Sequence, residues 1–130
     1  MKQIILIISI LIIIIGGPIY ASSYITKTSN ELTGKLEELK QQINTVGAGP
    51  VSAQTKQNTN AIYNDWERIS KSWSIIVLHN ELDLIETSLV SMKTNIETGE
   101  KNKAIEELDK SVDLLNHIVE KETLSLKNIF

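Results

Sequence analysis

A histidine and two carboxylates lie within five positions in the stretch HNELD, residues 79–83. Side chains of these types bind divalent metals and transfer protons near neutral pH. On an α-helix, Asp83 lies four positions from His79 and shares its side, whereas Glu81 points about 200° away. This stretch therefore supplies at most two ligands, His79 and Asp83.

A second pair, His117 and Glu120, lies in the sequence NHIVE near the C-terminus. In a helical hairpin that turns near residues 99–100, His79 is level with Glu120 and Asp83 with His117, an arrangement similar to carboxylate-bridged metal sites. However, the spacing His-x-x-Glu reverses the usual order, and His117 lies nearly opposite the apolar stripe of its helix. We therefore expect His79 to pair with Asp83 at the core edge and His117 to be solvated. A metal or ligand site of His79, Asp83, His117 and Glu120 is the alternative.

The two tryptophans, Trp66 and Trp73, lie one heptad apart with Ile69 between them. This spacing predicts an aromatic face buried against the first helix. The alternative is an aromatic face at the membrane–water interface or at a partner surface.

Catalytic motifs are absent from the sequence. It has no cysteine and no GxSxG elbow, and nothing in it orients either histidine as a base. We expect no enzyme and no cofactor. Residues 22–130 carry 12 basic and 16 acidic side chains, a net charge of −4, so nucleic acid is not an expected partner.

The N-terminus is strongly apolar. All twelve residues from Ile4 to Ile15 are Ile or Leu except Ser9, and no charge occurs before Lys27 once Lys2 is passed. Residues 1–21 are predicted to be a transmembrane anchor or a signal peptide cleaved after Ala21 or Ser23. The uncharged apolar part, Ile4–Ala21, has eighteen residues, a length that fits both. GGP at 16–18 weakens a helix there and equally fits the end of a signal sequence.

Helical stripes follow this segment. Residues 22–60 are predicted to hold a first helix, ended by GAGP at 47–50, and a polar linker at 51–60. Residues 61–130 are predicted to hold a long helix over 61–98 and a C-terminal hairpin with a helix over 101–123. The apolar stripe of this last helix is Ile105, Leu108, Val112, Leu115 and Val119. Gly99 suits the left-handed position after a helix. The fold class is all-α: an N-terminal membrane helix, then an antiparallel helical bundle with a long central helix and two shorter partner helices.

The long helix carries two apolar stripes on nearly opposite sides, and they change over at residues 75–78. The first consists of Ile62, Trp66, Ile69, Trp73 and Ile76, and the second of Ile75, Leu78, Leu82, Ile85, Leu89, Met92 and Ile96. If the first helix rises from the membrane, a straight long helix would return to the membrane surface near residue 80. Its remaining residues would then have to enter the bilayer, and they are too charged for that. Either residues 22–28 form a flexible tether, or the long helix bends near HNELD.

The chain ends in the apolar sequence LSLKNIF. We expect Leu126, Ile129 and Phe130 to dock on the bundle; a docking tag for another protein is the alternative.

A likeness to a known family rests on the apolar N-terminus, Trp66 and Trp73, HNELD and the sequence LLNHIVEKETLSLKNIF at 114–130. Together they resemble the Domain of Unknown Function 4363 family of small membrane-anchored bacterial proteins. The resemblance implies an anchor and a helical fold, and it carries over no functional residues.

These observations predict a non-catalytic, membrane-anchored module outside the cytoplasm that binds or supports an envelope or integral membrane protein. Residues 4–21 contact the membrane, or the protein is secreted if they are cleaved. The partner is a protein, and a homo-oligomer is compatible with the sequence.

Overall fold

The computed structural model describes residues 1–129, which form four α-helices in an antiparallel bundle. The helices are α1 (Lys2–Thr45), α2 (Ala53–Trp73), α3 (His79–Glu97) and α4 (Lys101–Ile129). Helices α1 and α3 each pack against both α2 and α4, so the four helices form a closed ring. The predicted all-α bundle is confirmed.

Helix α1 joins the apolar N-terminal segment to the bundle without a break. Its first buried residue is Ser22, and from Ile25 buried positions recur at steps of three and four as far as Ile43. Of the two alternatives offered by the sequence, a flexible tether at 22–28 is therefore wrong. GGP does not end the helix either, and Pro18 lies inside α1, where its ring removes one backbone hydrogen bond.

Helix α2 begins at Ala53, so the predicted polar linker at 51–60 is mostly helical. Ser52 is the N-cap, and its hydroxyl accepts a hydrogen bond from the Thr55 backbone N–H at 3.1 Å. Thr55 and Thr59 are 3% and 1% exposed and extend the buried stripe of Ile62 and Trp66 at helical spacing. A search for apolar residues alone misses these two buried threonines and therefore misses the start of the helix.

The predicted long helix over 61–98 is two helices, because the chain reverses between Trp73 and His79. A straight helix would direct its two opposed stripes away from each other, and each would then need its own core. Reversal turns both stripes toward one core. The sequence SIIVL favours a break here since its β-branched residues have low helix propensity. The predicted bend near HNELD is confirmed as a complete turn.

The core lies along the axis of the bundle and draws on all four helices. Helix α4 contributes Ala104, Leu108, Leu115 and Ile118, whereas Ile105 and Val119 of the predicted stripe are only partly buried. The largest fully buried side chains are Trp66, Trp73, Ile25, Leu32, Leu36, Leu39, Ile43, Ile85, Leu89, Met92, Ile96 and Leu108.

The turns far from the N-terminal segment close the bundle at one end. Gly47 and Gly99 have φ values of 59° and 78°, the left-handed region that favours glycine. Gly99 directly follows the C-cap of α3, as predicted. The Lys101 ammonium donates hydrogen bonds to the carbonyl oxygens of Gly47, at 2.7 Å, and Gly49, which ties the two turns together.

Helix α4 continues to Ile129, beyond the predicted end at residue 123. Leu126 is half-buried, but Leu124 and Ile129 are 58% and 61% exposed. The prediction that Ile129 docks on the bundle is wrong, and the prediction for Phe130 lies outside the described residues.

Candidate functional site

The structure places both tryptophans in the core. Trp66 and Trp73 are fully buried and meet edge to face, with ring centroids 5.9 Å apart and planes at 84°. The Trp73 indole N–H donates a hydrogen bond to the Thr28 hydroxyl at 2.9 Å, which fixes the end of α2 against α1. Both side chains therefore pack in the core of the bundle, as the first of the two predictions stated.

Glu86 on α3 joins α2 to α3. Its carboxylate accepts hydrogen bonds from the Trp66 indole N–H at 2.6 Å and from the Tyr63 hydroxyl. The hydrogen bond to Glu86, together with burial, raises the pKa of Tyr63 to about 12. The ammonium of Lys93 lies 5.2 Å from the centre of the Tyr63 ring, a cation–π distance.

His79 and Asp83 are exposed and line a groove between α2 and α3. Besides them, the groove is lined by Trp66, Ser70, Lys71, Ser74, Leu82 and Glu86. An ammonium, an imidazole and two carboxylates thus line one open surface depression. The groove has both polar and apolar lining residues, and its acids do not form a metal-binding group with His79.

His117 and Glu120 line a different groove along α4, with Lys121, Leu124, Ser125 and Asn128. The predicted alignment of α3 with α4, in which His79 is level with Glu120, is correct to within about one helical turn. Glu81 of α3 pairs with Lys121 of α4 at 3.0 Å. The helix faces nevertheless keep the two His–carboxylate pairs apart. Within residues 1–129, no group of three His, Cys, Asp or Glu side chains could hold a metal ion.

Ion pairs join α1 to its two neighbours. Lys35 pairs with Asp65 of α2, and Lys40 pairs with Asp109 of α4 at 2.7 Å. Burial raises the pKa of Asp65, but hydrogen bonds from Lys35 and Arg68 outweigh it and hold that pKa below its ordinary value. The hydrogen bond to Asp109 raises the pKa of Lys40.

The apolar N-terminal segment of α1 stands clear of the bundle. Its most apolar window of 18 residues has a mean hydropathy of 2.8, and none of that window is buried. Among the described helices it alone is long and apolar enough to cross a membrane, a property that signal sequences share. Side chains such as Ile12 and Ile13 are 65% and 70% exposed, so this surface has no protein partner within the described chain.

Comparison with protein families shows to which family the chain belongs. The model of the family described as Domain of unknown function (DUF4363) matches residues 19–129. The chain belongs to this family. The matched region begins three residues before the first buried residue, Ser22, and so corresponds to the bundle itself. No curated protein and no solved structure matches the chain.

Two features of this DUF4363 member were not predicted from its sequence. The contact of Glu86 with Tyr63 and Trp66 requires α2 and α3 to lie side by side, which one continuous helix cannot provide. Ile75 and Leu78 in the α2–α3 turn are 88% and 59% exposed, although their sequence pattern assigned them to buried stripes. The three consecutive β-branched residues after Ser74, which are Ile75, Ile76 and Val77, were the available signal for the turn.

Proposed function

We propose that this protein is a single-pass, membrane-anchored, non-catalytic helical module that binds or supports an integral membrane or envelope protein. The observation that carries the proposal is the continuity of α1. One helix runs from an unburied apolar segment into the core of the bundle.

Retention of the segment as an anchor is supported by the structure of the junction. Proteolysis concentrates at exposed loops and frayed ends, whereas the peptide bonds after Ala21 and Ser23 lie inside a continuous helix. Ser22 and Ile25 beside them are buried against the bundle. Cleavage would therefore require local unfolding of a packed helix.

The anchor also limits which partners the bundle can reach. Helix α2 has 21 residues and is about 30 Å long, so a bundle fixed directly on a membrane helix stays within that distance of the surface. Such confinement raises the effective concentration of proteins in the same membrane. An integral membrane protein, or an envelope protein close to the surface, fits this reach.

The proposed sidedness is N-terminus inside and bundle outside. Long domains cross the membrane largely irrespective of their charge, which supports this orientation.

A single cysteine tests the sidedness, because the chain has none of its own. Lys103 lies at the end of the bundle far from the apolar segment, and its side chain is 63% exposed. In intact cells, a membrane-impermeant maleimide should label Lys103→Cys and leave Ala104→Cys, at a fully buried site, unlabelled. Labelling of Lys103→Cys only after lysis would place the bundle in the cytoplasm and contradict the proposal.

The partner is tested by photo-crosslinking in the cells that make the protein. A photoreactive residue at Val90, which is 43% exposed on α3, should give an adduct with an integral membrane or envelope protein. Adducts only with lipid or with a second copy of the chain would contradict the partner role while leaving the anchor intact.

A further inference from the structure

Two apolar groups lie at the end of the bundle from which the apolar N-terminal segment emerges. The first is the α2–α3 turn with Ile75, Ile76 and Leu78, which are 88%, 38% and 59% exposed. The second is the end of α4 with the exposed Leu124 and Ile129 and the half-buried Leu126. We call these six residues the rim. Exposed isoleucine and leucine side chains grouped at one end of a bundle mark a contact surface.

The position of the turn follows from the contact of Trp73 with Thr28. Trp73 is the last residue of α2, and α2 runs antiparallel to α1, so residues 74–78 continue toward the membrane end of the bundle. Thr28 lies six residues above Ser22, the first buried residue of α1, a rise of about 9 Å. The turn therefore lies near the level at which the apolar segment leaves the bundle.

The position of the end of α4 follows from the contact of Ser29 with Leu115. The Ser29 hydroxyl donates to the Leu115 carbonyl oxygen at 3.5 Å. From Leu115 to Ile129, α4 continues for fourteen residues, about 21 Å, whereas Ser29 is only about 10 Å above Ser22. The last two turns of α4 thus run past the base of the core and alongside the apolar segment.

We infer that the rim inserts into the interfacial region of the lipid bilayer, so that the bundle rests on the membrane at three points: the apolar segment, the α2–α3 turn and the end of α4. This inference rests on the proposed membrane anchor. It adds a lipid contact that the anchor alone does not require.

The length of the apolar segment favours lipid as the occupant of the rim. The apolar stretch Ile4–Ala21, which Gln3 precedes and Ser22 follows, is about 27 Å long as a helix, shorter than the roughly 30 Å hydrocarbon core of a bilayer. A short span draws flanking residues toward the hydrocarbon. The rim supplies apolar flanking residues at that depth, where Tyr20, 75% exposed, has the aromatic character typical of the interface.

The polar residues among the rim suit an interface as well. Lys127 lies between Leu126 and Ile129, and Lys71 lies one turn before the α2–α3 turn; both are exposed. Lysine side chains place their ammonium groups among lipid headgroups while their methylene chains cover apolar surface. This combination is typical of amphipathic helix ends that lie in the interface.

Depth-dependent quenching tests the inference on the full chain reconstituted in phosphatidylcholine–phosphatidylglycerol vesicles. Three single-cysteine variants carry an environment-sensitive fluorophore: Ile75→Cys in the rim, Ala48→Cys in the turn at the opposite end, and Ile8→Cys in the apolar segment. All three sites are exposed, so the label leaves the core intact. Lipids brominated in their acyl chains serve as the quencher.

The expected result is strong quenching at residues 8 and 75 and severalfold weaker quenching at residue 48. A second rim variant, Ile129→Cys, should behave as Ile75→Cys does. If residue 8 is quenched and residues 75 and 129 are as weakly quenched as residue 48, the anchor stands and the rim contact with lipid is wrong, which leaves the rim to a protein or to a second copy. If residue 8 is unquenched as well, both the anchor and the rim contact fail.

Discussion

Glu86 shows how one side chain holds two helices together. Its carboxylate accepts from the indole of Trp66 and the hydroxyl of Tyr63, both on α2. Hydrogen bonds to a charged group are stronger than neutral ones, and a buried donor left without a partner carries its full desolvation cost. Residues 63, 66 and 86 therefore couple the packing of α2 and α3 to the protonation of Tyr63.

Replacing Tyr63 with Phe should lower the free energy of unfolding by about 1–2 kcal/mol near neutral pH, because one hydrogen bond to a carboxylate is lost. The folded pKa of Tyr63, about 12, exceeds the unfolded value of about 10. Its contribution is therefore complete below the unfolded pKa and is lost as the pH rises through the folded one. The stability difference between the wild type and Tyr63→Phe should shrink across this range, as measured by urea unfolding of the full chain in detergent.

Tyr20→Phe is the matched control, since Tyr20 is 75% exposed and lies outside the α2–α3 contact. It should leave the pH dependence unchanged. A Tyr63→Phe variant as stable as the wild type, with the same slope in alkaline solution, would show that the bond to Glu86 contributes nothing.

At the scale of elements, the helix boundaries depend on a few backbone positions. Gly99 follows the C-cap of α3 with a φ of 78°, whereas Gly34 lies inside α1 and an added Cβ would meet nothing within 4 Å. A left-handed backbone opposes any L side chain, while glycine within a helix costs conformational entropy. The same substitution should therefore have opposite effects at the two sites.

Gly34→Ala should raise the free energy of unfolding by about 0.5–1 kcal/mol, and Gly99→Ala should lower it by about 1 kcal/mol. Each variant is the control for the other, and urea unfolding measures both. Equal effects at residues 34 and 99 would contradict the assignment of their backbone conformations.

The sequence predicted elements well where apolar residues carry the stripe and poorly where small polar residues do. Leu32, Leu36, Leu39 and Ile43 indicated α1 because their steps of three and four are complete. The start of α2 was not predicted, because its buried positions are Thr55 and Thr59 and a threonine is not counted as apolar. In α4, Ala104 and Ile118 are buried where Ile105 and Val119 were expected, a rotation of the helix that packing decides.

At the scale of the whole molecule, periodicity alone could not show whether the opposed stripes of residues 62–73 and 82–96 belong to one helix or to two. One long helix and two antiparallel helices show the same local pattern, and only the closure of one core selects the second. The antiparallel arrangement of the two helices also determines which candidate site residues come together. It brought Glu86 to Tyr63 and exposed the α2–α3 turn, while the facing directions of α3 and α4 kept His79 and Asp83 apart from His117 and Glu120.

The proposed function requires that the apolar segment stays attached and anchors a bundle built on the same helix. The most direct test is the intact mass of the protein extracted from the membranes of the cells that make it. We expect the mass of the full chain, 14.6 kDa, in the membrane fraction. A mass reduced by residues 1–21 or 1–23, with the protein in the soluble fraction, would show a cleaved signal sequence and contradict the proposed anchor.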